Sequence, residues 1–293
     1  MLRRLVASAL VGSLLGIAAT APPAGASGGS RRAIPTVTIR ARDFSFEMPA
    51  KIPSGWTTVR LVNEGGEPHQ AQLAKLDPGV TPEQIVSAGA SGGDRAIVAL
   101  LTVAGGPNTT AAHGGTTSVT VNLTPGDYVA MCFIPSADGT RHYAKGMIQR
   151  FTVTKAPAKA TAKAPKAKAT ITLSDFSFGF PSNGLPAKGV VAVKNTGTQD
   201  HEITLDALAP GRTLDDAKAF LLTPPGAPTP SGPPPITEAG GIVGLAPGAT
   251  GYLNLSLTPG TYVAACFFPD PTKAGLPHVI EGMLGTVTVG ATG

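Results

Sequence analysis

The residues most able to do chemistry in this chain occur in one order, twice. Cys132-Phe-Ile-Pro opens a segment that His142-x3-Gly-Met147 closes, and Cys266-Phe-Phe-Pro opens another that His278-x3-Gly-Met283 closes, with two extra residues between. Upstream of each stands Asn-x-Gly-x3-His, as Asn63 to His69 and as Asn195 to His201. Each half therefore reads His…Cys…His…Met. Thiolate, two imidazoles and a thioether are the donors a soft, redox-active metal such as copper takes: sulfur for covalency, imidazole for both oxidation states, thioether as a weak axial ligand. Of five histidines only His113 falls outside the pattern, and both cysteines fall inside it.

Each donor also has a plainer reading. A lone histidine on a strand is usually structural, and a buried cysteine usually behaves as a small hydrophobe. Recurrence of all four types in register weighs against that for the set. Two cysteines in an exported chain can form a disulfide, but Cys132 and Cys266 hold equivalent places in two repeats, and no bridge is expected. Phe133, Phe267, Tyr128 and Tyr262 are read as core, and Asn63 and Asn195 as ties between ligand loops through side-chain to backbone hydrogen bonds.

The elements that must position these donors are short strands. Gly (37) and Pro (28) are frequent among the 293 residues and aromatic content is low, which favours strands and turns over long helices. Thr36–Arg40, Asp43–Phe46, Trp56–Val62, Gln70–Leu76, Thr116–Leu123, Asp127–Cys132 and Met147–Thr154 carry strand patterns. A short helix is expected from Thr81-Pro82 and another over Thr213–Leu222, each with a capping Thr. Asp43-Phe-Ser-Phe46 recurs as Asp175-Phe-Ser-Phe178, and the offset between copies grows only from 132 to 136 residues. The chain is a tandem duplication.

Residues 1–26 read as a secretory signal: Arg3-Arg4, an apolar run and Ala24-Gly25-Ala26 before a cleavage point at Ser27. Residues 27–33 are expected to be disordered, 34–154 to form the first domain, 155–168 a Lys/Ala/Pro-rich linker and 169–290 the second domain. Pro224 to Pro235 is a proline-rich loop without a counterpart in the first copy. The net charge of +5 is matched by Lys155, Lys159, Lys163, Lys166 and Lys168 in the linker alone, so no basic face for nucleic acid is left. No later stretch is apolar enough to span a bilayer. The expected location is secreted or extracytoplasmic, periplasmic or at the cell surface.

Each half resembles a cupredoxin, the plastocyanin and azurin family, over nearly all of 34–154 and 169–290. Asn-x-Gly-x3-His is similar to the segment with the first histidine ligand, and Cys…His-x3-Gly-Met is similar to the ligand loop. The long Cys-to-His interval is closer to that of copper nitrite reductases. The resemblance implies an all-β fold of two tandem Greek-key, antiparallel β-sandwiches, each with a short helical insertion. It implies one copper ion per domain, held by His69, Cys132, His142 and Met147 and by His201, Cys266, His278 and Met283. It implies further that His142 and His278 are the exposed ligands where a redox partner protein docks. Two-domain relatives that are enzymes add a second copper site from further histidines, commonly one just before the ligand cysteine. Met131 and Ala265 stand there, and His113 alone builds no three-histidine centre within one chain, so no enzyme is expected. Three readings stay open: a single-electron carrier, a copper storage or delivery protein, and a metal-free structural or adhesion module.

Overall fold

The computed structural model describes residues 33–157, 162–224, 226–228 and 232–290. The signal reading, nearly all of the expected N-terminal tail, and parts of the linker and proline-rich loop lie outside these residues.

In the first half the order is β1 (Thr36–Arg42), β2 (Ser45–Glu47), β3 (Lys51–Pro53), β4 (Gly55–Asn63), β5 (Gln72–Leu76), α1 (Pro82–Val98), β6 (Leu101–Val103), β7 (Thr116–Leu123), β8 (Gly126–Met131) and β9 (Ile148–Thr154). The second half repeats it with β10 (Ala169–Ser174), β11 (Ser177–Gly179), β12 (Leu185–Pro186), β13 (Lys188–Asn195), β14 (His201–Leu208), α2 (Leu214–Leu221), β15 (Ile236–Leu245), β16 (Thr250–Ser256), β17 (Gly260–Ala265) and β18 (Leu284–Gly290). Strand alternation explains the layers. In β4 the residues Thr57, Val59, Leu61 and Asn63 are buried and their neighbours less so, and such a strand gives one face to the core.

Each half is a sandwich, with β3-β9-β8-β5-β6 as the inner sheet of the first and β12-β18-β17-β14-β15 of the second. The other layer is shared: a single eight-stranded sheet runs β11-β10-β13-β16-β7-β4-β1-β2 across both halves. Where an antiparallel sandwich was expected, the sheets are mixed, because β1 pairs with β4, β10 with β13, β3 with β9 and β12 with β18 in parallel. Crossover connections return the chain beside an earlier strand in the same direction.

The halves are joined by more than the linker. Strands β7 and β16 pair at Thr120 with Tyr252 and Val119 with Leu253. Trp56 lies edge-on to Tyr252 with centroids 5.2 Å apart. Gly105 donates to Gly244 at 2.8 Å, and Val243 donates to Gly106 at 3.0 Å. Gly106 has φ +136°, and a Cβ there would sit 2.0 Å from the carbonyl oxygen of Ala71, so only glycine allows this approach. The apolar core is accordingly continuous, with Val121, Ile242, Leu245 and Leu253 in one cluster. A linker of fourteen extended residues could reach roughly 45 Å, but the paired strands hold the two halves together without it.

Helix α1 is longer than the Thr81-Pro82 start implies. Thr81 and Gln84 form a capping box, and the helix runs 17 residues with a break at Gly93, φ 67°. Only Ile85 and Ile97 are buried along it, so the Gly- and Ala-rich stretch offers little periodicity to read. Helix α2 starts where expected, at a capping box of Thr213 and Asp216.

Candidate metal centre

Histidine 69 follows the Asn63–His69 turn after β4, Cys132 follows the last residue of β8, and His142 opens a 3₁₀ turn, His142–Lys145, ahead of β9. Backbone bonds close the loop on itself. Cys132 donates to Met147 at 3.2 Å, Tyr143 to Cys132 at 2.9 Å and Met147 to His142 at 2.9 Å. The second half repeats the set, with Cys266 donating to Met283 at 3.2 Å, Val279 to Cys266 at 2.7 Å and Met283 to His278 at 3.0 Å. Asn63 and Asn195, expected to tie the ligand loops together, fasten each histidine turn to the neighbouring backbone rather than to the Cys-to-Met loop. Asn63 Nδ2 donates to the carbonyls of Glu67 at 2.8 Å and Thr110 at 2.9 Å, and Asn195 Nδ2 to those of Gln199 at 2.8 Å and Leu245 at 2.7 Å.

The donors converge in both halves. The ligand atoms of His69, Cys132 and His142 all lie within 4.8 Å of one another, and so do those of His201, Cys266 and His278. Nδ1 of His69 is 3.1 Å from Nδ1 of His142, which is 3.4 Å from Sγ of Cys132. In the second centre the distances are 3.0 and 3.5 Å. All six residues, with Met147 and Met283, are fully buried. His113 is exposed and belongs to neither cluster. The cysteines are free thiols in separate centres, so no disulfide joins them.

The outer ring nitrogens fix the tautomers. Nε2 of His69 donates to Asp43 Oδ1 at 3.0 Å, and Nε2 of His201 to Asp175 Oδ1 at 2.9 Å. A carboxylate only accepts, so Nε2 carries the proton and Nδ1 turns a lone pair inward. Backbone hydrogen bonding from Gly66 holds Asp43 below the usual carboxylate range. Burial would raise Asp175, but hydrogen bonds from His201 and Thr198 outweigh it and bring it to about 2. Burial lowers His69 and His201, and burial followed by repulsion from His201 takes His278 down to about 4. The Cys132 thiol is pushed up to about 12 by burial, and Cys266 is raised by the same cause. Imidazoles aiming lone pairs and a sulfur at one dry point form a site that a cation completes. The N, N, S donor set of each centre fits copper.

The Asp-Phe-Ser-Phe repeat proves to be part of the site. Phe44 and Phe176 sit at φ 65° and 62°, a region non-glycine residues rarely enter. That turn lays each ring edge-on over a ligand imidazole, at 5.3 Å from His142 and 5.2 Å from His278. His142 and His278 are therefore not exposed ligands, as the sequence implied. Both are 0 % accessible, covered by these rings and by Glu67 and Gln199 on their Nε2 atoms. Asp43 and Phe44 were missed as site residues, although their exact recurrence at the same offset as the histidine was a usable signal.

Between the two ligand loops lies a cleft of about 560 Å³, lined among others by Gln70, Phe133 and Arg141 from the first half and Glu202, Phe267 and Phe268 from the second. A hydrogen-bonded path crosses beside it. His69 donates from its backbone to Thr110 at 3.1 Å, Thr110 Oγ1 to the Asn108 carbonyl at 2.9 Å, Asn108 Nδ2 to Glu202 Oε2 at 3.4 Å and the Glu202 backbone to Cys266 Sγ at 3.4 Å.

A two-sheet sandwich with a histidine after its fourth strand, and cysteine, histidine and methionine between its last two strands, decides the fold. Each half is a cupredoxin-like domain.

No protein-family model and no curated protein matches the sequence. Among solved structures, the cupredoxin halves are similar to reduced auracyanin from the photosynthetic bacterium Roseiflexus castenholzii, 25 % identical over 42 % of this chain and 98 % of that one, TM-score 0.24. A multicopper oxidase is 14 % identical over 88 % of each chain, TM-score 0.24. The copper-containing nitrite reductase of Thermus scotoductus is 11 % identical over 88 % of this chain and 61 % of that one, TM-score 0.23. At these scores the strand pairing and donor set, not the overlaps, identify the cupredoxin fold. The expectation that the chain is not an enzyme is corrected by the solved structures that align along 88 % of it, two oxidases and a nitrite reductase. The histidine count behind that expectation covered a single chain. The two halves form one body with a cleft between their ligand loops.

Proposed function

We propose that the protein is an exported, two-centre copper protein that passes single electrons to and from a redox protein partner. The observation that carries this is the doubled convergence of two imidazole Nδ1 atoms and one thiol sulfur in buried, rigidly hydrogen-bonded settings. His69, Cys132 and His142 would hold one ion and His201, Cys266 and His278 the other, with Met147 and Met283 as weak fourth donors. Copper bound there supplies a one-electron couple. Asp43 and Asp175 hold the upstream rings in one orientation, and burial keeps water out, so the donors have little to rearrange when the charge of the site changes. Tight packing also opposes ready release, which favours electron transfer over copper delivery.

Export rests on the signal reading of residues 1–26. Among the described residues no helix is long and apolar enough to cross a membrane. Sequencing the N-terminus of protein recovered outside the cytoplasm tests it, with Ser27 expected as the first residue.

For the central claim, metal analysis and an absorption spectrum should show about two coppers per chain and a thiolate-to-copper band that bleaches reversibly on one-electron reduction. The Cys132→Ser, Cys266→Ser double variant should lose both metal and band. Full copper retention in that variant would overturn the reading, and irreversible reduction would favour storage or delivery.

A further inference from the structure

The duplication supplies two centres alike in backbone and in donors, and they differ at the contact on the downstream imidazole. Nε2 of His142 meets Oε2 of Glu67 at 2.9 Å, whereas Nε2 of His278 meets Oε1 of Gln199 at 3.0 Å. Glu67 and Gln199 occupy the same place in the Asn-x-Gly-x3-His turn, two residues before the histidine. Their backbones are held identically, each carbonyl accepting from Asn63 or Asn195 Nδ2 at 2.8 Å. The upstream rings do not differ, since both donate to an aspartate. One downstream imidazole therefore donates to a carboxylate and the other to a neutral amide.

Among the described residues, the remaining charged groups make no hydrogen bond to the Nε2 of either downstream ring. At the first centre Lys145 pairs with Asp138 at 3.0 Å and lies over the Phe44 ring. At the second, Lys273 pairs with Glu281 and lies over the Phe176 ring, while Asp270 Oδ1 accepts from Thr272. With Asp43 and Glu67 the first surround counts three carboxylates and one lysine; with Asp175, Asp270 and Glu202, whose backbone N–H donates to Cys266 Sγ where Gln70 stands at the first centre, the second counts four and one lysine. Glu202 accepts from the Phe267 backbone and from Asn108 and makes no bond to a ligand ring, so only at the first centre does a carboxylate touch the downstream imidazole. A charge-assisted hydrogen bond is roughly twice as strong as a neutral one and pushes electron density into the imidazole, raising its basicity as a ligand. A more basic ligand favours the higher oxidation state of the metal.

We infer that Glu67 makes the first centre the harder of the two to reduce, so that an electron given to the fully oxidised protein settles on the second. This rests on copper occupancy of both centres as proposed above. Glu67 acts through His142 and is a positioning residue. The expected bias is at least tenfold in the equilibrium between the two singly reduced forms, which corresponds to about 59 mV for a one-electron couple.

The test is spectroelectrochemical titration of copper-loaded protein. Cys266→Ser isolates the first centre and Cys132→Ser the second, and the first should titrate lower. Glu67→Gln, nearly isosteric, should raise the first centre toward the second, and Gln199→Glu should lower the second. Unchanged potentials in both variants, at full copper content and with the thiolate band intact, would overturn the inference, as would a first centre that titrates higher. Wild-type protein that takes up no copper fails earlier, at the metal analysis, and removes the parent reading along with this one.

Discussion

Nδ1 of His69 and Nδ1 of His142 lie 3.1 Å apart with their protons on the far side of each ring, and Sγ of Cys132 completes the triangle. Two facing lone pairs repel, and a protonated thiol with its affinity raised to about 12 cannot relieve them by ionising near neutrality. A metal ion does both. It neutralises the lone pairs and replaces the thiol proton. Binding of one metal per centre should therefore release about one proton per centre between pH 7 and 9, and the apparent affinity should rise about tenfold per pH unit. Calorimetry with cobalt(II), which does not oxidise the thiol, in buffers of different ionisation enthalpy measures that number. Zero protons released would mean that the thiol is not a ligand.

Gly65 presses on the Asp43 and His69 pair. A Cβ at this position would lie 2.4 Å from Asp43 Oδ1 and 2.7 Å from His69 Nε2, and Gly197 is placed alike against Asp175 and His201. Glycine in the Asn-x-Gly-x3-His turn is thus required for the carboxylate to reach the imidazole. Asp43→Asn should lower metal affinity at the first centre about 10–100-fold, the usual cost of losing such a partner, and Gly65→Ala should do at least as much. Chelator competition on Cys266→Ser protein, where only the first centre binds, reads the effect.

Asp206 faces Glu238 across the β14–β15 ladder and is 3 % exposed. Burial first, then the neighbouring carboxylate, push it from 3.8 up to about 7. A carboxyl raised on folding contributes stability that is whole below its unfolded value and is lost as pH climbs through the folded one. The loss here runs from about pH 4 to about pH 7 and totals on the order of 4 kcal/mol. Asp206→Asn should flatten the fall in urea midpoint between pH 5 and 8 relative to wild type. A variant with the same slope as wild type would show that Asp206 stays ionised in the folded protein.

Composition, duplication and donor order were legible because each rests on local chemistry. Strand alternation marked β1, β4, β7, β8 and β9, and the Cys-to-Met segment carried its donors in plain order. The second ring of contacts was harder to read. Asp43 and Phe44 lie 26 and 25 residues before His69, and only the crossover that sets β1 parallel to β4 brings them to it. Burial of His142 depends on that same turn. Strand β15 escaped notice because Ile236–Leu245 holds Gly240 and Gly241, which look like turn residues and instead carry positive φ where the strand passes close to Ile203. The shared sheet could not be foreseen from alternation, since β7 and β16 look like any edge strand until they pair.

That pairing makes the two halves one cooperative unit. Tyr252 with Thr120 and Leu253 with Val119 continue the sheet, Asn254 Nδ2 donates to Thr120 Oγ1 at 3.3 Å, and the Gly105–Gly244 and Gly106–Val243 bonds lock the second edge. Separating the halves would expose Val121, Ile242 and Leu245 and leave those backbone groups unpaired, a cost the covalent linker does not set. A protease site placed in the segment 155–168 should therefore yield two fragments that co-elute after cleavage and melt in a single transition. Tyr252→Ala, which removes the half-buried ring against Trp56, should destabilise the folded unit by roughly 1–2 kcal/mol, the order of an edge-on aromatic pair with partial burial, and more in the cleaved form, where the fragments also dissociate on dilution. Two well-separated transitions in the intact chain would mean that the seam does not couple the halves.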